Sequence, residues 1–185
     1  MEKEIKDYLK QILSDERYNH SIKVMEKAEE LAKIYGINIE MARLTGLAHD
    51  IAKEMTMEEY EEYAKSHNIK INEQDRQNTV IMHGKIGAHI CKNKFNFTKE
   101  MQNAVCYHTT GRKNMSMLEK IIYVADKIED SRQYDEVEQL RELAKKDLTE
   151  TIRIIVDYNL ITAINKKRAI HPLSVELRNE IILNT

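Results

Sequence analysis

Gly46-Leu47-Ala48-His49-Asp50-Ile51-Ala52-Lys53 is the stretch on which the reading of this chain turns. It continues an apolar run that includes Ala42 and Leu44, so residues 39–53 are expected to form a helix buried on nearly every side. A histidine and an aspartate side by side in such an element need a reason. An unpaired carboxylate in an apolar interior is strongly penalised or takes up a proton, so a charged partner is expected for Asp50.

The same interruption recurs outward along the chain. Val24, Ala28 and Leu31 form a stripe at helical spacing, and one turn earlier that stripe lands on His20. Met101, Ala104 and Val105 make another, continued by His108. The row of Val80, Gly87 and Ile90 contains His83, and Asp126 sits among Ile121, Ile122, Val124, Ala125 and Ile128. A single inward histidine is usually a core residue bonded to a backbone carbonyl. Four inward histidines and two inward aspartates would each need a separate buried partner, whereas a shared cation satisfies all six. Imidazole and carboxylate without thiolate suit iron, manganese, cobalt or zinc in a catalytic site.

The remaining histidines read differently. His89 shares a row with Lys85, Lys92 and Asn93 and belongs to the surface; His171 precedes Pro172 in a turn; His67 ends a helix, where a cation complements the dipole.

Around these positions the chain reads as all-helical. Five glycines and one proline among 185 residues leave few tight turns, and Ala, Leu, Ile, Glu and Lys recur at helical spacing. About eight helices are expected, near 2–13, 15–35, 39–53, 57–67, 74–93, 99–108, 117–130 and 135–166, the last broken around Lys146, with a short one after Pro172. Thr56 with Glu59 and Ser116 with Glu119 fit the capping box; Asn38 and Thr98 are simpler caps, and Gly36 and Gly111 end the segments before them.

Composition bounds the function. Hydrophobic residues make up 42% and charged residues 32%, a globular balance. The net charge of −2, from 29 basic and 31 acidic residues, offers no global field for nucleic acid or an anionic membrane. Cys91 and Cys106 lie in no CxxC pattern and read as reduced core thiols. The charged start Met1-Glu2-Lys3-Glu4 leads into an amphipathic segment without the apolar run of a signal peptide, so a cytoplasmic location is expected.

The order His20, His49-Asp50, His83, His108, Asp126 resembles the HD-domain superfamily of metal-dependent phosphohydrolases. The stretches His83-Gly84-Lys85-Ile86-Gly87-Ala88, Tyr107-His108-Thr109-Thr110-Gly111 and Tyr123-Val124-Ala125-Asp126-Lys127-Ile128-Glu129, together with the opening one, are similar to the YqeK family of symmetrical bis(5'-nucleosyl)-tetraphosphatases. The likeness runs from about Glu16 to Arg132 and continues more weakly to the C-terminus. It implies a single HD domain over residues 1–185, with a metal-binding core at about 16–132 and C-terminal helices 133–185 packed on it. It also implies one or two metal ions, most often iron, and cleavage of diadenosine tetraphosphate into two ADP. On that likeness His20, His49, Asp50 and Asp126 are the minimal ligands, and His83 and His108 serve a second ion with Asp50 bridging.

Six side chains cannot fill two octahedral spheres, which leaves positions for water and phosphate oxygens; a metal-bound hydroxide is the nucleophile expected. Asp50 and Lys53 are the catalytic candidates. Lys53, one turn after His49, and Arg17, one turn before His20, fall on the faces that carry the ligands and are candidates for steadying phosphate. Thr109, Thr110 and Gly111 could offer hydroxyls and free amides, or form a plain helix-ending turn; Arg112, Lys113, Lys127 and Arg132 could add positive charge. The partner expected is a small-molecule dinucleoside polyphosphate or nucleotide, with no nucleic acid and no membrane, and a homodimer stays open. Two other readings stay open as well: another HD-type nucleotide phosphohydrolase or phosphodiesterase, and a non-catalytic metal-stabilised nucleotide-binding module.

Overall fold

The computed structural model of the chain describes residues 1–71 and 79–184. Among them are ten helices and no strand: α1 Glu2–Ile12, α2 Asp15–Tyr35, α3 Ile39–Ala48, α4 Met57–Ser66, α5 Thr79–Phe95, α6 Lys99–Tyr107, α7 Met117–Ile128, α8 Val137–Ala144, α9 Leu148–Asn165 and α10 Pro172–Leu183. The helical start expected near residue 74 and the side chain of Val80 lie outside the described residues.

The capping residues act as their chemistry predicts. Thr56 with Glu59 and Ser116 with Glu119 form complete capping boxes, Asn38 and Thr98 accept the amides of Met41 and Met101, and Gly36 and Gly111 adopt left-handed conformations at φ 68° and 63°. The span expected over 135–166 breaks where Asp147 caps α9 by accepting the Glu150 amide at 2.9 Å.

The central element is α7, whose Leu118, Ile121, Ile122, Tyr123, Val124, Ala125 and Ile128 are all buried. It packs against α2, α3, α6, α8 and α9. Around it α2 lies along α3, α5 along α6, and α10 along α9, with α1 on α3 and α4 on α5. The inward stripes of α2, α6 and α7 therefore face one interior, and each carries its polar exception into the same place.

One expected boundary is wrong in an instructive way. The helix expected over 39–53 stops at Ala48, and residues 49–54 continue as tight turns, with Ile51 N donating to Ala48 O at 3.1 Å and Lys53 N to Asp50 O at 2.9 Å. The His49 ring takes the Gly46 carbonyl at 2.7 Å, the acceptor that an uninterrupted helix would offer to the Asp50 amide. The Tyr60 hydroxyl then fixes the end of the turn by donating to Ala52 O at 2.6 Å.

Candidate metal centre

Two helices end in the same device. His49 follows α3 and His108 follows α6, and each ring Nδ1 lies 2.7 Å from the carbonyl three residues back, Gly46 O and Val105 O respectively. A carbonyl can only accept, so Nδ1 carries the proton in both rings and each Nε2 presents its lone pair inward. His20 reaches the same orientation through a carboxylate: its Nδ1 donates to Glu129 Oε1 at 3.1 Å, which turns Nε2 toward Asp126.

These nitrogens and two carboxylates converge. His83 Nε2 and His108 Nε2 are 3.0 Å apart and lie 3.2 and 3.3 Å from Asp50 Oδ1. His49 Nε2 is 3.5 Å from Asp50 Oδ2 and 3.8 Å from Asp126 Oδ1, and His20 Nε2 is 3.1 Å from Asp126 Oδ1. All six side chains are buried. Three overlapping sets, His20-His49-Asp50, His49-His108-Asp126 and Asp50-His83-His108, have ligand atoms mutually within 4.8 Å. The inward faces predicted for all six are thus observed, although His49-Asp50 reach the interior from a turn instead of a helix.

The donor set fits a cation. Among the described residues His20 Nε2, His49 Nε2, Asp50 Oδ1 and His83 Nδ1 are buried without a hydrogen-bond partner. Three of these four face the cluster at short range yet make no aligned bond to one another, which is what lone pairs aimed at a common point produce. Burial alone would raise the carboxyls of Asp50 and Asp126; the imidazoles around Asp50, and Lys127 with His20 beside Asp126, hold both well below the usual range. Burial drives His83 down to about 4 and also lowers His49, which keeps these rings neutral as a metal requires.

Cationic side chains ring the cluster. Arg17 donates to Asp50 Oδ2 at 3.0 Å. Lys53 Nζ lies 3.7 Å from Asp50 Oδ1 and 3.3 Å from His83 Nε2, a position it reaches from the turn and not, as expected, from one helical turn beyond His49. Lys127 and Arg132 meet Asp126 at 2.7 and 2.9 Å. Arg112 is engaged elsewhere, in a two-pronged pair with Glu119.

The segment after His108 divides. The Thr109 hydroxyl lies 3.1 Å from His108 Nε2 and 3.4 Å from His83 Nε2, on the cluster. Thr110 donates to Gly111 O, and the Gly111 amide, expected free, donates to Tyr107 O at 2.8 Å. A Cβ on Gly111 would sit 2.3 Å from Leu177, so this residue packs against α10 and serves the turn. His89 bonds the Tyr63 hydroxyl, His67 caps α4, and His171 caps α10. Glu129 has no role in the sequence reading, and its signal was its position: three residues after Asp126, it shares that inward face.

Two clefts border the cluster. One, of about 480 Å³, is lined by Thr109, Thr110, Lys127, Asn159 and residues 168–171. The other, of about 360 Å³, is lined by Lys127, Arg132, Tyr134, Tyr158 and Asn159. No helix among the described residues is long and apolar enough to cross a membrane.

Residues 17–130 match the HD domain family model. The symmetrical bis(5'-nucleosyl)-tetraphosphatase of Halalkalibacterium halodurans is 35% identical over 174 residues, 92% of this chain and 91% of that protein. The protein of the same name from Bacillus subtilis is 32% identical over 165 residues, 89% of this chain and 88% of its own. A crystal structure from Clostridium acetobutylicum, described as a predicted HD superfamily hydrolase involved in NAD metabolism, is similar with a TM-score of 0.96 at 36% identity, over 100% of this chain and 98% of that one. The chain belongs to the HD domain family and, within it, to the family of the symmetrical bis(5'-nucleosyl)-tetraphosphatases.

Proposed function

We propose that this protein is a metal-dependent phosphohydrolase that cuts dinucleoside tetraphosphates, diadenosine tetraphosphate among them, at the central anhydride to give two nucleoside diphosphates. The observation that carries the reading is the convergence of four imidazoles and two carboxylates, with the lone pairs of Asp50 Oδ1, His83 and His108 meeting within 3.3 Å. The names of the relatives support the substrate class.

His20, His49, Asp50 and Asp126 would hold one ion, and His83 and His108 a second, with Asp50 between the two. The set of nitrogen and oxygen donors suits iron, manganese, cobalt or zinc, and the family resemblance puts iron first among them. A cation there supplies Lewis acidity, making water a better nucleophile and drawing charge from a phosphoryl oxygen.

The chain's own groups do the rest. Asp50 is the pivot: it touches both halves of the cluster. Lys53 and Arg17 stand beside it and are suited to bind phosphate oxygens and to offset the charge of the departing nucleoside diphosphate. The Thr109 hydroxyl, beside His83 and His108, can donate to a phosphoryl oxygen. Lys127 and Arg132 extend the positive lining along a four-phosphate chain.

The test is product analysis of the metal-loaded protein with diadenosine tetraphosphate. Two ADP are expected; AMP with ATP would exclude central cleavage. Asp50→Asn should lower turnover at least a thousandfold with the helical circular dichroism intact, since charge stabilisation of this kind dominates phosphoryl transfer. Full activity in that variant rules the assignment out.

A further inference from the structure

A substrate with two nucleoside ends that is cut at its centre places its ends at equal reach from the reacting phosphates. A site that binds both ends needs two recesses able to take a base. The two clefts meet this demand: they share Lys127 and Asn159, and each reaches the cluster through a side chain that touches it. In the larger cleft that side chain is Thr109, and in the smaller it is Arg132, which donates to Asp126 Oδ1 at 2.9 Å.

The smaller one has a wall of two tyrosines, where the larger has none. Its Tyr134 and Tyr158 rings lie 6.2 Å apart between centroids at 20°, nearly parallel. Tyr134 is anchored because its hydroxyl donates to Lys127 O at 2.9 Å, whereas Tyr158 is 60% exposed. Ile154 and Ile155 complete an apolar lining, and Asp135 and Glu136 bring carboxylate acceptors to the same cleft. At about 360 Å³ it falls at the small-ligand scale. An exposed tyrosine ring nearly parallel to a half-buried one, next to an arginine on the phosphate path, is the chemistry that takes a nucleobase: every base has a π-face to stack, and carboxylates accept from ribose hydroxyls or an exocyclic amine.

We propose that the Tyr134–Tyr158 cleft is the second nucleoside subsite, which stacks one base of the substrate while the other occupies the cleft beside Thr109 and Lys127. The inference rests on the dinucleotide reading above and goes further by giving each half of the substrate its own place. Arg132 then sits between the second base and the cluster, where it can hold the α-phosphate of that arm.

The experiment is equilibrium dialysis of ADP against the metal-loaded full chain, with KM for diadenosine tetraphosphate measured beside it. The wild type should bind two ADP per chain. Tyr158→Ala should keep one and weaken the other at least tenfold, and KM should rise about tenfold, the scale of one lost base stack. Tyr158→Phe, which keeps the ring, should restore both. An unchanged stoichiometry and KM in Tyr158→Ala overturns the subsite, as does loss of both ADP sites or a change in oligomeric state with two ADP retained. A wild type inert on diadenosine tetraphosphate sinks the dinucleotide reading itself; a wild type that cleaves it while Tyr158→Ala matches its KM sinks the subsite alone.

Discussion

Glu129 accepts the Nδ1 proton of His20 at 3.1 Å, and Ser131 secures the same carboxylate through its amide and hydroxyl, at 2.6 Å for the closest contact of each. Burial alone would raise this carboxyl, but these donors bring it down to about 2, so it stays ionised and fixes which nitrogen of His20 faces the cluster. That is the part a carboxylate plays behind a metal-binding imidazole, raising the basicity of the ring and holding its tautomer. Glu129→Gln keeps the shape and removes the charge. Metal affinity, measured by competition with a chelating dye, should fall about tenfold with helix content unchanged; an affinity equal to the wild type would mean that Glu129 does no more than close the end of α7. Six candidate ligands were legible in the sequence because each broke an apolar stripe. Glu129 was missed, because a charged residue at a helix end is ordinary in any sequence and its spacing from Asp126 gains weight only with its burial, at 1% exposure.

Among elements, the close approach of α5 and α6 sets the spacing of His83 and His108. A Cβ on Gly84 would lie 2.5 Å from Cys106 O and 3.2 Å from Val105 O, backbone atoms that cannot step aside. Val105 O is also the acceptor that orients His108. Gly84→Ala should therefore cost about 1–3 kcal/mol through overpacking, even though alanine suits a helix better, and by parting the two histidines it should lower hydrolysis at least tenfold. Gly87→Ala on the same helix meets first the side chain of Ile51 at 3.1 Å, which can yield, so its melting temperature should stay nearer the wild type. Equal losses in the two variants would refute this account of the contact. The sequence displayed most helices through caps and periodicity, both local properties. It hid the end of α3, since Ile51 and Ala52 continue the apolar run while the His49 ring takes the Gly46 carbonyl that the next helical amide would need. It hid the clefts too, because residues 109, 127, 134, 158 and 168 share a rim only after α9 and α10 have packed.

For the molecule as a whole, the cluster opposes folding in the absence of a cation. Six polar side chains occupy positions that aliphatic residues would otherwise fill, and four buried atoms on these side chains lack a partner. Each unsatisfied buried group costs roughly 1–3 kcal/mol, which the core around α7 must offset. A cation that binds the folded chain and not the unfolded one returns that cost through mass action. At a free metal concentration of one hundred times Kd the gain is about 2.7 kcal/mol. For a chain of this length each kcal/mol moves the melting temperature by about 2–4 °C, so stripping the metal with a chelator should lower it by roughly 5–10 °C. Adding manganese or ferrous iron back should restore it, and Asp50→Asn should abolish most of the metal-dependent increment, because Asp50 belongs to two of the three overlapping ligand sets. The helical signal at low temperature should be the same with and without metal, since the caps and the apolar core are independent of the cluster. A melting temperature indifferent to metal, in protein whose metal content has been measured before and after stripping, would show that the six side chains are satisfied by one another and that no cation is held among them.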